Sequence, residues 1–136
     1  MEARQYPNLE INLSLKAPYS VVLESIIQGL KHEGFVVVTE LDLQEALKRK
    51  LDVDTHPFKV IRVYHPALSG QFHLISPGVG LLPYNLTITQ LEDGNVSISV
   101  VDPLPQHTLA ENPGLIPIVS QGHNLLHRLV ESLPGL

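Results

Sequence analysis

A chain of 136 residues with 43% hydrophobic and 17% charged residues can bury about two-thirds of its unfolded surface and is too apolar for a disordered segment. Nine Lys and Arg against fourteen Asp and Glu leave a net charge of −5, which argues against a nucleic-acid backbone as partner. No apolar run approaches the roughly 20 residues of a membrane span, and the absence of cysteine removes thiol nucleophiles, thiolate metal sites and disulfides together.

These priors predict a single domain over residues 1–136, off the membrane and in a reducing cytoplasm. The first 16 residues alternate polar and apolar and lack the apolar block of a signal peptide. Within them, Leu9, Ile11, Leu13 and Leu15 share one face of a half-buried strand and Glu10, Asn12 and Ser14 take the other. Pro18 suits the first turn of a following helix, whose apolar stripe is Tyr19, Leu23, Ile26 and Leu30 and whose left-handed stop is Gly34. The β-branched run at 35–39 reads as a central strand covered on at least one face. Asp42 with Glu45 three residues on resembles a capping box. It opens a helix carrying Leu43, Ala46, Leu47 and Leu51, with Lys48, Arg49 and Lys50 near its C-terminus.

Residues 58–64 form a third strand, after which His65-Pro66 breaks the pattern and 67–75 has the length of a short helix. Residues 80–91 and 96–101 read as two strands, in which Leu86 and Ile88 alternate with Thr87 and Thr89, and Val96, Ile98 and Val100 with Ser97 and Ser99. Joined by Glu92-Asp93-Gly94-Asn95, they make a hairpin. Prolines mark 102–114 as a loop, and a final helix runs to about Leu133 with Leu115, Val119, Leu126, Leu129 and Leu133 on one face. Pro113 and Pro117 each suit its first turn, but not both in one regular helix. The fold class is therefore α+β, a mainly antiparallel sheet with helices packed on one face, in the order β-α-β-(α)-β-β-β-α. The other sheet face must be solvated or paired with another subunit, and a homodimer is the expected partner arrangement.

Several blocks resemble a known family. Gly34-Phe35, Thr39-Glu40-Leu41-Asp42-Leu43 and Lys50-Leu51 look like the first block of domain of unknown function 302. Phe58-Lys59-Val60-Ile61 with His65-Pro66-Ala67-Leu68 resembles the second, Gly80-Leu81-Leu82-Pro83-Tyr84-Asn85 the third, and Val101-Asp102-Pro103 the end of the last strand. The resemblance spans about residues 9–104. It implies a TATA-binding-protein-like fold, without implying DNA binding, and brings no activity with it. Two positions depart from the family pattern: where many relatives carry cysteine, this chain has Tyr64 and Tyr84.

That departure defines the first candidate site. Tyr64, His65 and Tyr84 are the candidate catalytic residues, with Glu40 and Asn85 as candidate ligand-binding residues, because phenol, imidazole, amide and carboxylate groups suffice for proton transfer or for orienting a small molecule. The opposing reading packs both tyrosines on a helix, with His65 an ordinary residue before proline. His123 and His127 share a helix face at the spacing of a metal pair. No Glu follows His123 as in a zinc-protease helix, so they read as two surface histidines and no metal or cofactor is expected. Lys48-Arg49-Lys50 reads as a solvated, dipole-matched helix end.

Three functions remain. The first is a small non-catalytic domain binding a small molecule or a protein partner, which asks least of the residues. The second is a cofactor-independent isomerase, cyclase or lyase using His65 and the tyrosines. The third is a haem or metal carrier using some of the seven histidines. Whether the protein is an enzyme stays open at this point.

Overall fold

The structure is a computed structural model and describes residues 11–75, 84–101 and 111–135. Its elements are β1 (Ile11–Leu15), α1 (Tyr19–His32), β2 (Val36–Asp42), α2 (Leu43–Leu51), β3 (Phe58–Tyr64), α3 (Pro66–Ile75), β4 (Tyr84–Gln90), β5 (Val96–Val101) and α4 (Ile116–Ser132), with short 3-10 turns at Pro113–Leu115 and Leu133–Gly135. The expectations for Leu9, for 76–83 and for 102–110 lie outside the described residues.

The strands form one five-stranded sheet in the order β1-β5-β4-β3-β2, every neighbouring pair antiparallel. The fold is α+β, as the hairpin pattern requires. In that hairpin Leu86 pairs with Val100 and Ile88 with Ile98 on one face, while Thr87 meets Ser99 and Thr89 meets Ser97 on the other. Gly94, at φ +87°, supplies the left-handed turn residue, and Leu91 N donates to Asn95 O at 2.7 Å to close it.

The core lies between one sheet face and helices α1 and α4. Val22, Ile26 and Leu30 of α1 and Leu126, Leu129 and Val130 of α4 are buried against Ile61, Val63, Leu86, Ile88, Ile98 and Val100. All five apolar residues expected of the last helix face are buried, Leu133 in the turn that closes α4. Both prolines are accommodated because the helix is not regular at its start: Pro113 opens the 3-10 turn and Pro117 sits in the first turn of α4. A smaller cluster, Leu68 and Phe72 of α3 with Leu115, Ile118 and Val119, docks α3 onto the beginning of α4. The expected element order omitted α3. The short helix expected at 67–75 is nevertheless present, starting one residue earlier at Pro66.

Two sequence expectations are corrected. The β-branched run in β2 belongs to an edge strand, not a central one, and Val36 and Val38 are more than 40% exposed. Residues suited to a pleated surface look the same in either position. The free edge carries two devices that oppose pairing with another strand, an irregularity between Val37 and Thr39 and the carboxylates Glu40 and Asp42. Likewise α2 buries none of its residues, and Leu51 is 67% exposed. Its start is nevertheless as expected: Asp42 Oδ1 accepts from Glu45 N at 3.0 Å.

Tyr19 ties α1 to the sheet by donating its hydroxyl to Ile88 O at 3.2 Å. Burial, with the Asp42 carboxylate adding to it, pushes the phenol from 10.0 up to about 12. The folded state thus holds this proton more tightly than the unfolded chain. Its contribution is intact below the unfolded value and is lost as pH rises from 10.0 towards about 12. Denaturant midpoints across that window are expected to fall, and to fall less steeply in Tyr19→Phe.

Candidate functional site

The candidate residues divide between two sides of the sheet. Tyr84 pairs with the fully buried Val63 and is itself 5% exposed, so its ring lies on the helix side. Tyr64 follows Val63 directly and turns to the opposite face, where its register partner is Val36. Asn85 shares that opposite face and accepts from Arg62 Nε through Oδ1 at 3.1 Å. Glu40 is exposed on the edge strand, opposite Ile61. The structure therefore brings His65 and Tyr84 to one side and Tyr64 and Asn85 to the other.

On the helix side, Phe35 links the rings. Its centroid lies 5.0 Å from that of His65 and 6.0 Å from that of Tyr84, edge-on to both. Tyr84 reaches under α4 at Gly122, where the missing side chain leaves room for the phenol. His65 stands between β3 and α3. Its carbonyl accepts from Ser69 N at 2.8 Å, and its Nδ1 faces Leu68 N at 3.5 Å, the arrangement of an N-cap. Its Nε2 meets Glu33 O at 3.1 Å, the donor of the pair when Nδ1 is the acceptor. Gly34 makes this close approach possible: it has φ +93°, and a Cβ there would lie 2.9 Å from His65 Nε2. Both ring nitrogens of His65 are thus engaged by backbone.

A cleft of about 360 Å³ opens elsewhere, between α2 and the segment after it, lined by Gln44, Lys48, Arg49, Val53, Asp54 and Thr55 among others. Lys48 Nζ is held by Asp52 Oδ1 at 2.9 Å and Asp54 Oδ1 at 3.0 Å, and these bonds raise its pKa above the usual lysine value. Gln44 Nε2 donates to Thr55 O at 2.9 Å and closes the inner wall. Arg49 stands 4.0 Å from Glu45, with both side chains largely exposed. Asp52 takes a left-handed conformation, φ 55°, which lets the chain double back so that Asp54 and Thr55 return to the helix. Sequence reasoning noticed only the Lys48-Arg49-Lys50 run. The available signal was the pair of carboxylates at 52 and 54, just beyond the helix end and within reach of Lys48.

The family model described as "Domain of unknown function DUF302" matches residues 11–133 of the chain. A crystal structure of an uncharacterized conserved DUF302 protein from Bacillus stearothermophilus is similar to this one with a TM-score of 0.76 and 22% identity, covering 90% of this chain and 96% of that one. At that identity the likeness speaks for the fold alone. No curated protein matches the sequence.

Proposed function

The chain belongs to the domain of unknown function 302 family, and on that premise we propose a non-catalytic binding domain that takes a small polar molecule in the cleft beside α2. The observation that carries this reading is the cleft itself. Its volume, about 360 Å³, falls within the range of small-molecule sites. Its lining offers both signs of charge, an amide and one apolar wall, which suits a small zwitterion or carboxylate. Support also comes from the engagement of both His65 nitrogens and from the separation of Tyr64 and Tyr84, which leave acid–base chemistry without a shared chamber.

The test is a set of ¹H–¹⁵N spectra of the whole protein with free amino acids and short dicarboxylates added in turn. Amide shifts at Gln44, Lys48, Val53 and Thr55 that vanish in Arg49→Ala are expected. A set of spectra without shifts there, or with shifts confined to His65 and Phe35, would overturn the reading.

The partner arrangement proposed with it is a homodimer in the cytoplasm, where a cysteine-free chain suits the reducing conditions. The guarded β2 edge speaks against edge-to-edge pairing. The sheet face turned away from α1 and α4 carries Phe58, Val60, Tyr64 and Leu41 on its β3–β2 half, and no Asp or Glu among the described residues. A second copy related by a two-fold axis lays this half on itself without opposing carboxylates. Light scattering should give twice the 15.0 kDa chain mass, reverting to the single mass in Val60→Asp. A wild-type monomer would rule the dimer out.

A further inference from the structure

The histidines of this protein are not alike. His65 has both nitrogens bound to backbone, whereas His123 of α4 has an Nδ1 that is buried and has no hydrogen-bond partner among the described residues. His127, one turn on, has the exposed Glu131 3.5 Å from its Nε2. The two rings are stacked, centroids 5.8 Å apart and planes 21° from parallel. Nothing in the packing of α4 uses them: the buried face is Ile118, Val119, Gly122, Leu126, Leu129 and Val130. Two imidazoles so placed, and untied by other bonds, are a feature the cleft and the core leave unexplained.

We propose that His123 and His127 form a two-histidine clamp on α4 for a borderline divalent cation of the Cu²⁺, Ni²⁺ and Zn²⁺ class. A metal about 2.0–2.1 Å from each nitrogen holds the ring centres roughly 5–6 Å apart, so the present separation suits one ion once the stacked rings turn their in-plane lone pairs towards it. Ligation requires neutral imidazoles. The nearest cation on the helix, Arg128, is drawn away to Glu33 just past the end of α1 at 2.7 Å and does not compete for the position. No group of three or more His, Asp or Glu converges among the described residues. The protein thus supplies two nitrogens and water fills the rest, which selects against Mg²⁺ and Ca²⁺, cations that demand oxygen donors.

The experiment is calorimetric titration of the whole protein with NiCl₂ and with CuCl₂, together with electron paramagnetic resonance of the Cu²⁺ sample. One ion per chain with a two-nitrogen spectrum is expected. Binding should weaken about 10–100-fold or more in His123→Ala and in His127→Ala and stay unchanged in His56→Ala and His73→Ala. Circular dichroism of each variant should match the wild type, since neither ring is part of the buried face. Absent binding, or binding unaffected by His123→Ala and His127→Ala together, would overturn the clamp. Neither result bears on the cleft, which is read by its own amide shifts.

Discussion

Replacing Gly122 by alanine is expected to destabilise the protein by about 2 kcal/mol or more, although the same change in an exposed helix interior would stabilise it by about 1 kcal/mol. The reversal comes from Tyr84. A Cβ at 122 would collide with the Tyr84 hydroxyl and lie 3.0 Å from its Cζ and 3.2 Å from Leu68 Cδ1. None of these neighbours is a free side-chain end, because Tyr84 and Leu68 are both buried. The helix must lift, or the ring must leave its place beside Phe35. Adding Tyr84→Phe in the same chain removes the worst of the collision and should recover part of the loss. Denaturant midpoints at constant slope measure both. A stabilised Gly122→Ala would mean that Tyr84 does not pass beneath α4.

His65→Ala is expected to cost about 2–3 kcal/mol. An N-cap contributes about 1 kcal/mol, and leaving the part-buried Glu33 carbonyl without its donor costs about 1 kcal/mol more. Loss of the edge contact with Phe35 adds about 0.5–1 kcal/mol. His65→Asn keeps a capping oxygen and should recover about the first of these. The result separates two views of the residue: a staple between the end of α1 and the start of α3 weakens the whole fold when removed, while an acid–base residue would abolish a turnover and leave stability nearly unchanged. Gly34 belongs to the same staple, since its left-handed backbone and open space are what admit the imidazole.

These residues also mark what was legible from sequence. The alternation of Leu86 and Ile88 with Thr87 and Thr89 was readable, and the buried Tyr84 is in phase with Leu86. The phase of β3 put Tyr64 with Arg62, apart from Ile61 and Val63. The candidate site nevertheless grouped Tyr64 with Tyr84, and it took the strand register, Val63 opposite Tyr84 and Val36 opposite Tyr64, to place them on opposite faces. The Asp42 cap, the Gly34 stop and the apolar face of α4 were readable because each is a local relation over three to seven residues, set by backbone geometry and side-chain size.

What lies between distant segments was not readable. Valine at 36 and 38 suits an edge strand and a central one alike, and only the order β1-β5-β4-β3-β2 made β2 the edge. The engagement of His65 depended on the end of α1 arriving beside β3, and the unpaired His123 Nδ1 on no partner among the described residues reaching it. The cleft arose because the chain reverses at Asp52 and returns Thr55 to Gln44. Sequence by itself determined the α+β class, the β4–β5 hairpin and the buried face of α4, since those come from local periodicity and backbone preference. Tertiary structure decided which strand is exposed, which histidine is tied and where the cleft opens, since those come from contacts whose partners lie far apart along the chain.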